Sequence, residues 1–407
     1  MFEQISIPWE IAGEGSSMLI CADGSQPHQA LAELAGAAQV VYLDPPFMTG
    51  DVFMRRRRFG ERGWRTGSPS PEYMGYEDHF ADRNEYLKVL RGLIENAWML
   101  LNPTGMLCLH LDWRSSAYGR LICNELFGED RFINEIVWAY ESGGRAKKYF
   151  SRKHDVILMY AKSRNYHFDL SRVPLDRTET RRNHLRKSVD EDGRAYRSVK
   201  VGGKEYRYYD DEPVYPGDVW TDISHLQQRD PERTGYVTQK PLRLLDRLLR
   251  PLTRPDDLVV DLCCGSGTTL VAARDLGCRY LGMDTSQEAI NISLNRLGGG
   301  DVQVECPCAD EPAALTGSYT PLDGLLMLDG FNARHKAFPK PDTALDPLES
   351  WSAGMLRDGV LYVQQSFRRT YRQPQLPTVC VLTPEEGQLA VSTVDAAGRR
   401  RVYRWVD

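Results

Sequence analysis

The sequence predicts an α/β fold built on a mostly parallel sheet, followed by a small strand-rich C-terminal domain. Three observations carry this expectation. Short apolar runs alternate with stretches of helical periodicity between Ala38 and Tyr160. The alternation resumes at Pro241, and after Gly298-Gly299-Gly300 it gives way to short strands separated by Pro- and Gly-containing turns. At 407 residues, 42% hydrophobic and 26% charged, the chain has room for two or three domains with their own cores.

In chain order, Ala38 to Leu43 reads as a buried strand, and Asn84 to Leu101 spaces Leu87, Leu90, Ile94, Ala97 and Leu101 as one helix face. Asn102-Pro103-Thr104-Gly105 predicts a turn. Met106 to Leu111 is a strand, Ala117 to Phe127 a helix, and Glu135 to Trp138 and Val156 to Tyr160 are strands. Pro241 to Arg250 is helical, Leu258 to Leu262 a strand, Thr268 to Leu276 a helix, and Arg279 to Met283 a strand. The tail offers strands at Gly324 to Leu328, Gly359 to Gln364, Thr378 to Leu382, Leu389 to Val394 and Arg400 to Trp405. No fixed-period repeat argues for a solenoid. The expected division is 1–139 and 225–300 as two halves of one α/β domain, 140–224 as an insert, and 301–407 as the C-terminal domain.

A net charge of −5 excludes a basic nucleic-acid coat, so any polyanion must meet a local patch. Such a patch is present: Tyr140 to Asp210 carries 18 Lys/Arg against 10 Asp/Glu. A second basic run, Arg55-Arg56-Arg57-Arg58, opens a Gly-, Ser- and Pro-rich loop. In the tail, Arg368-Arg369 and Arg399-Arg400-Arg401 stand beside Tyr and Trp, an arrangement for holding duplex DNA, supporting a dimer or capping the fold. No apolar run reaches the roughly 18–20 residues of a membrane helix, and MFEQISIPWE lacks a basic region followed by an apolar one. The expectation is a soluble cytoplasmic protein. Its nine scattered cysteines, with no Cys-x-x-Cys pair and partner His, predict reduced thiols and no metal site.

Two motifs carry chemistry. In Asp261-Leu262-Cys263-Cys264-Gly265-Ser266-Gly267-Thr268-Thr269 a strand runs through glycines into a helix, so the backbone can approach a ligand and the helix start offers free N–H donors. Asp284, ending the next strand, is placed to accept hydrogen bonds from ribose hydroxyls. The P-loop lysine is missing and the third glycine of a dinucleotide fingerprint is replaced, which leaves a nucleoside cofactor. The second motif is Asp44-Pro45-Pro46-Phe47, at the carboxyl end of a strand. The prolines fix φ and remove donors, leaving carbonyl acceptors beside a carboxylate and an aromatic face. An amino group on a flat ring can donate to both acceptors while its ring stacks on Phe47.

Together these residues resemble the amino-methylating DNA methyltransferases, in particular the permuted β class, in which the catalytic half precedes the cofactor half. The likeness runs from about Leu19 to Arg296 and includes Asp23, Leu43 to Phe47, Asp82 to Leu87, Leu101 to Gly105, His110-Leu111-Asp112, Glu135 to Trp138, His154 to Leu158, Thr238 to Pro241 and Asp261 to Thr269. The resemblance implies a Rossmann-like fold, S-adenosylmethionine as cofactor and double-stranded DNA as substrate. Asp44, Pro45, Pro46 and Phe47 would be catalytic. Asp23 would contact the cofactor's adenine and Asp284 its ribose. Asp261, Gly265 and Gly267, with Ser266 and Thr268 beside them, would hold its methionine end, and Lys240 would touch that end. DNA would meet Arg55 to Arg58 and, in a target-recognition insert, Arg181, Arg182, Arg186 and Lys187. A homodimer and a cognate restriction enzyme belong to the same expectation. Asp as the first of the four catalytic residues points to adenine N6, with cytosine N4 as the alternative and a non-catalytic DNA-binding module as a third reading. One departure bears on cofactor affinity: Leu262-Cys263 stands where the family commonly has Pro-Phe, removing an aromatic from the cofactor's methionine part.

Overall fold

The computed structural model describes residues 1–56, 58–66, 72–140, 146–175, 187–227, 230–298, 301–333, 338, 340–370 and 372–406. Six strands run parallel in the spatial order Val302–Glu305, Ser17–Cys21, Arg279–Asp284, Leu258–Asp261, Ala38–Leu43 and Leu101–Leu111. His154–Ala161 joins antiparallel to the last of these, Phe132–Ala139 antiparallel to it in turn, and Val219–Trp220 closes the edge.

The central strands Ala38–Leu43 and Leu258–Asp261 are buried along their whole length because both faces of the sheet are covered there. Successive side chains alternate, so Val40 and Tyr42 pack on the face covered by the helices Leu242–Leu249 and Thr268–Asp275. Val41 and Leu43 pack on the opposite face, against the helices Arg83–Leu100 and Ser116–Phe127. The Arg83–Leu100 helix starts where it does because the Asp82 carboxylate accepts from Asn84 N at 2.7 Å and Glu85 N at 2.9 Å.

Chain direction across the sheet sets the position of a ligand cleft. From Leu258–Asp261 the helix Thr268–Asp275 leads to a neighbour on one side, whereas from Ala38–Leu43 the helix Arg83–Leu100 leads to a neighbour on the other. The order reverses between these two adjacent strands, and ligands of open parallel sheets bind at the carboxyl ends at such a point.

Three features differ from the sequence reading. Asn102 to Gly105 is a bulge within a strand: Leu101 pairs with Ala38 and Met106 with Val40, and Asn102 Oδ1 accepts from Thr104 N at 2.9 Å. The stretch 140–224 contributes two strands to the main sheet, and Trp220 and Ile223 are buried in its core. Outside that sheet its described residues form the short antiparallel strands Lys187–Val189, Ala195–Val201 and Lys204–Tyr209. The run Val156 to Tyr160 is buried on both faces, and basic flanks do not alter that. Residues 301–407 likewise extend the main sheet: Val302–Glu305 leads through Trp9–Ala12, Val360–Arg368, Leu348–Arg357, Gln388–Asp395 and Arg400–Trp405 to Phe2–Ile5. A three-stranded sheet of Ala313–Thr320, Leu325–Ala333 and Val379–Val381 packs over these strands.

The tail's arginine clusters are largely internal. Arg400 Nε donates to Glu10 Oε1 at 2.6 Å and its Nη1 to the Ile7 carbonyl at 2.8 Å, tying the last strand to the first residues. Arg401 Nη1 reaches Asp395 Oδ2 at 2.9 Å, and Arg369 Nη2 the Leu345 carbonyl at 2.9 Å. Buried guanidinium groups of this kind satisfy carbonyls and carboxylates within the fold, so Arg369, Arg400 and Arg401 are structural and not a DNA or dimer surface. Among the described residues no helix is long and apolar enough to cross a membrane.

Candidate active site

The cleft at the reversal point contains a cavity of about 330 Å³, within the lower range of small-molecule sites. Its walls include Asp44 to Phe47 on one side and Asp261 to Ser266 and Asp284 on the other, with Asp23, Phe80, Tyr236 and Lys240 around them.

On the first side, Asp44 follows the Ala38–Leu43 strand directly, and Lys240 Nζ donates to its Oδ2. Lys240 thus meets the carboxylate of the acidic motif, while the sequence placed it on the cofactor. It is held there from behind: its carbonyl accepts from Thr268 Oγ1 at 3.1 Å, and Arg296 Nη1 donates to that same hydroxyl at 2.7 Å. The segment after Pro46 owes its shape to Asp78, which is 1% exposed. Its carboxylate accepts from the backbone N–H of Phe47 at 3.2 Å, Met48 at 2.9 Å and Thr49 at 3.0 Å, and from Thr49 Oγ1 at 2.8 Å. Met48 takes a positive φ of 58°, a conformation that this ring of donors sustains.

Beneath Phe47 runs a buried polar chain. Tyr42 hydroxyl and His110 Nδ1 lie 2.8 Å apart, His110 Nε2 and Asp155 Oδ2 3.3 Å apart, and Tyr140 hydroxyl donates to Asp155 Oδ1 at 3.1 Å. The His110 ring lies 6.2 Å from that of Phe47. Burial works against the Asp155 charge, yet the hydrogen bond from His110 and the charges around it leave its carboxyl below the usual range. Burial, with Asp44 and Asp261 nearby, pushes the Tyr42 phenol far up, so its proton stays on.

The glycine side is built locally. Gly265 and Gly267 have φ of 49° and 73°, and a Cβ added at Gly265 would lie 3.0 Å from the Tyr236 ring. Asp284 Oδ2 accepts from Gly265 N at 2.9 Å and Oδ1 from Ser286 N at 2.9 Å. Each oxygen keeps a second lone pair for a ligand hydroxyl. Burial raises the Asp284 carboxyl to about 6, and burial raises Asp261 to about 7 despite hydrogen bonds that favour its charge. Asp23 Oδ1 accepts from Ser25 N at 2.9 Å and borders the cavity. Ser266 and Thr268 also face it, but Arg296 engages the Ser266 carbonyl at 2.9 Å as well as the Thr268 hydroxyl.

The expected DNA contacts are placed less centrally. Arg55 and Arg56 lie on the strand Val52–Arg56, paired with Glu72–Glu77. Arg58 is half-buried, its guanidinium 5.1 Å from the Trp64 ring centroid. Lys187 pairs with Asp210 at 2.9 Å. Arg57, Arg181, Arg182 and Arg186 lie outside the described residues. Sequence reasoning gave no role to Asp78, the Tyr42–His110–Asp155 chain, Tyr236 or Arg296. No spacing pattern marks them, because each acts through a partner distant in the chain.

Two ligands can therefore meet across one cavity, a nucleoside on the glycine side and an amine on the Asp44 side, which is the layout of a group-transfer enzyme of the α/β class. Comparison with known proteins names the group: residues 38–295 match the DNA methylase family of N6/N4 methyltransferases. The chain belongs to this family of amino-methylating DNA methyltransferases, whose cofactor is S-adenosylmethionine. The type II methyltransferase M1.MboII of Moraxella bovis is 30% identical over 234 residues, covering 54% of this chain and 84% of its own. The DNA adenine methyltransferase YhdJ of Escherichia coli K12 is 28% identical over 274 residues, 66% of this chain and 80% of its own. Among solved structures, the cytosine-N4-specific PvuII DNA methyltransferase aligns at 15% identity and a TM-score of 0.44, over 71% of this chain and 89% of that one.

Proposed function

We propose that this chain methylates the exocyclic N6 amine of adenine at a specific sequence in double-stranded DNA. The observation that carries the reading is Asp44 at the strand reversal, with Lys240 on its Oδ2. Oδ1 then accepts one amine N–H and the Pro45 carbonyl the other, while Phe47 stacks on the base. The 28% identity to an E. coli adenine methyltransferase supports adenine, as does Asp at the first catalytic position.

The cofactor-side residues fit an adenosine ligand. Positive-φ glycines permit close backbone approach, Asp284 keeps lone pairs for ribose hydroxyls, and Asp23 stands where an adenine amine can donate. Tyr236 over Gly265 supplies an aromatic near the turn in which Leu262-Cys263 carries none. Asp261, Gly265 and Gly267 line the methionine end, and Ser266 and Thr268 shape it through Arg296. S-adenosylmethionine supplies an electrophilic methyl group on a sulfonium, so this chain has to align a nucleophile and needs no covalent intermediate.

An aryl amine is a poor nucleophile because its lone pair is delocalised. Hydrogen bonds to Asp44 and the Pro45 carbonyl direct the lone pair and stabilise positive charge developing on nitrogen. Lys240 orients the carboxylate, and Asp78 holds Phe47 in place to stack. The target base leaves the duplex to reach this site, at a cost of a few kcal/mol. Basic residues of the 140–224 region and the arginine run Arg55 to Arg58 hold the backbone. A cognate restriction enzyme, a homodimer and a cytoplasmic location accompany this reading.

The test is to incubate the protein with unmethylated duplex DNA and S-adenosylmethionine, digest to nucleosides and identify the product. N6-methyldeoxyadenosine is expected. N4-methyldeoxycytidine would move the substrate to cytosine, and no methylated nucleoside from a protein that binds both ligands would make this a DNA-binding module without turnover.

A further inference from the structure

Three exposed large aromatics, two of them the most exposed of the described residues, gather at one place that the site above does not use. Phe150 is 99% exposed, Tyr149 61% and Trp113 46%. The Arg152 guanidinium lies over the Trp113 ring at 3.5 Å and over Tyr149 at 4.9 Å, and Arg114 lies over Trp113 at 4.8 Å. A guanidinium over an aromatic face is attracted by the ring's quadrupole, so Arg152 ties Trp113 and Tyr149 to each other.

This cluster borders the catalytic edge of the sheet. Leu43 pairs with Leu109, which sets His110 opposite Asp44, and Trp113 follows three residues later, at most about 10 Å of extended chain. The segment carrying Tyr149, Phe150 and Arg152 leaves the Phe132–Ala139 strand and re-enters at His154 on the same edge, where Tyr140 N donates to the Lys153 carbonyl at 2.9 Å. From Ala146 to Lys153 it carries Lys147, Lys148, Arg152 and Lys153 and no acid. Exposed aromatic rings interleaved with cations match one ligand: unpaired bases on a phosphate backbone.

We propose that Trp113 and Tyr149, braced by Arg152, form with the neighbouring Phe150 a stacking platform for bases of a DNA strand that lose their partners when the target nucleotide leaves the helix. This rests on the methyltransferase reading and adds to it the surface that keeps the opened duplex from closing. Trp113 and Tyr149 take the flanking bases, Phe150 enters the gap, and Lys147 and Lys148 meet the phosphates.

The experiment uses the full-length protein and a fluorescein-labelled thymidine 20-mer, with affinity measured against salt concentration. Phe150→Ala and Trp113→Ala should each weaken binding about 5- to 150-fold, the range for loss of one stacked base. Their log–log salt slope should match that of the wild type, since no counterion-releasing cation is lost. Phe150→Tyr should restore affinity, and cofactor affinity by calorimetry should stay unchanged in all three. Wild-type binding no tighter than that of Phe150→Ala and Trp113→Ala would overturn the platform. So would a change of oligomeric state in sedimentation that accounts for the loss, which would make this face a subunit contact. Methyl transfer by the wild type to native phage DNA separates the two ideas: transfer with unimpaired variants sinks the platform alone, and absence of transfer with impaired variants sinks the methyltransferase reading alone.

Discussion

The two walls of the cleft place carboxylates at the ends of neighbouring strands and support them by opposite means. Asp284 is met by backbone N–H groups, one of them 19 residues away, and Asp261 accepts from Cys263 N two residues on. Asp44 is met by a lysine 196 residues away, and the segment behind it is shaped by Asp78, 31 residues from Phe47. Backbone donors cannot swing away, so the glycine wall is a preformed receptacle for a ligand that must bind in one pose. Lys240 reaches Asp44 on a flexible stem and meets only Oδ2, so the Asp44 wall leaves Oδ1 for an arriving amine. The two walls are thus built from different materials, local backbone on the glycine side and distant side chains on the Asp44 side.

That contrast predicts different symptoms on the two sides. The largest effect is expected for Asp44→Ala: methyl transfer falls below about a tenth of the wild-type rate, a loss of at least ~1.4 kcal/mol, while DNA binding in a gel shift survives. Transfer of labelled methyl above that level would remove Asp44 from the chemistry and break the comparison. Next comes Asp284→Ala, which should weaken S-adenosylmethionine binding by about 1.5–3 kcal/mol, roughly 10- to 150-fold, with the rate at saturating cofactor much less changed. Calorimetry showing wild-type affinity would shift the ribose site elsewhere.

The smallest effect sharpens the glycine wall by itself. Burial raises Asp261 to about 7 and Asp284 to about 6, above the usual value near 4 of an unfolded chain. The folded state therefore holds these protons more tightly. Their contribution to stability is full below about pH 4 and is lost as pH rises through 6 to 7. In Asp261→Asn that loss is reduced, so the melting temperature of the cofactor-free variant relative to wild type should rise by a few degrees between pH 4 and 8. A difference independent of pH would show that Asp261 titrates normally.

Much of the site was legible in the chain because its chemistry is local. A strand ending in glycines before a helix, an acid ending the next strand, and Asp-Pro-Pro-Phe after an apolar run each announce their backbone geometry within a few residues. Lys240 was legible as a residue of interest but not as the partner of Asp44. Asp78, in a polar stretch without periodicity, carried no signal at all.

Periodicity reports how deeply a strand is buried and on which faces, which is why the sequence by itself determined the α/β class, the parallel core and the chemical character of both motifs. It does not report which strand lies beside which. The adjacency of Ala38–Leu43 to Leu258–Asp261, and with it the reversal that opens the cleft, was decided by tertiary packing. So was the continuation of the sheet into the tail, where Arg400 is buried on Glu10 instead of facing solvent. Charge and strand propensity belong to single residues and short runs, whereas the partner that pairs a charge or an edge is selected only when the whole sheet assembles.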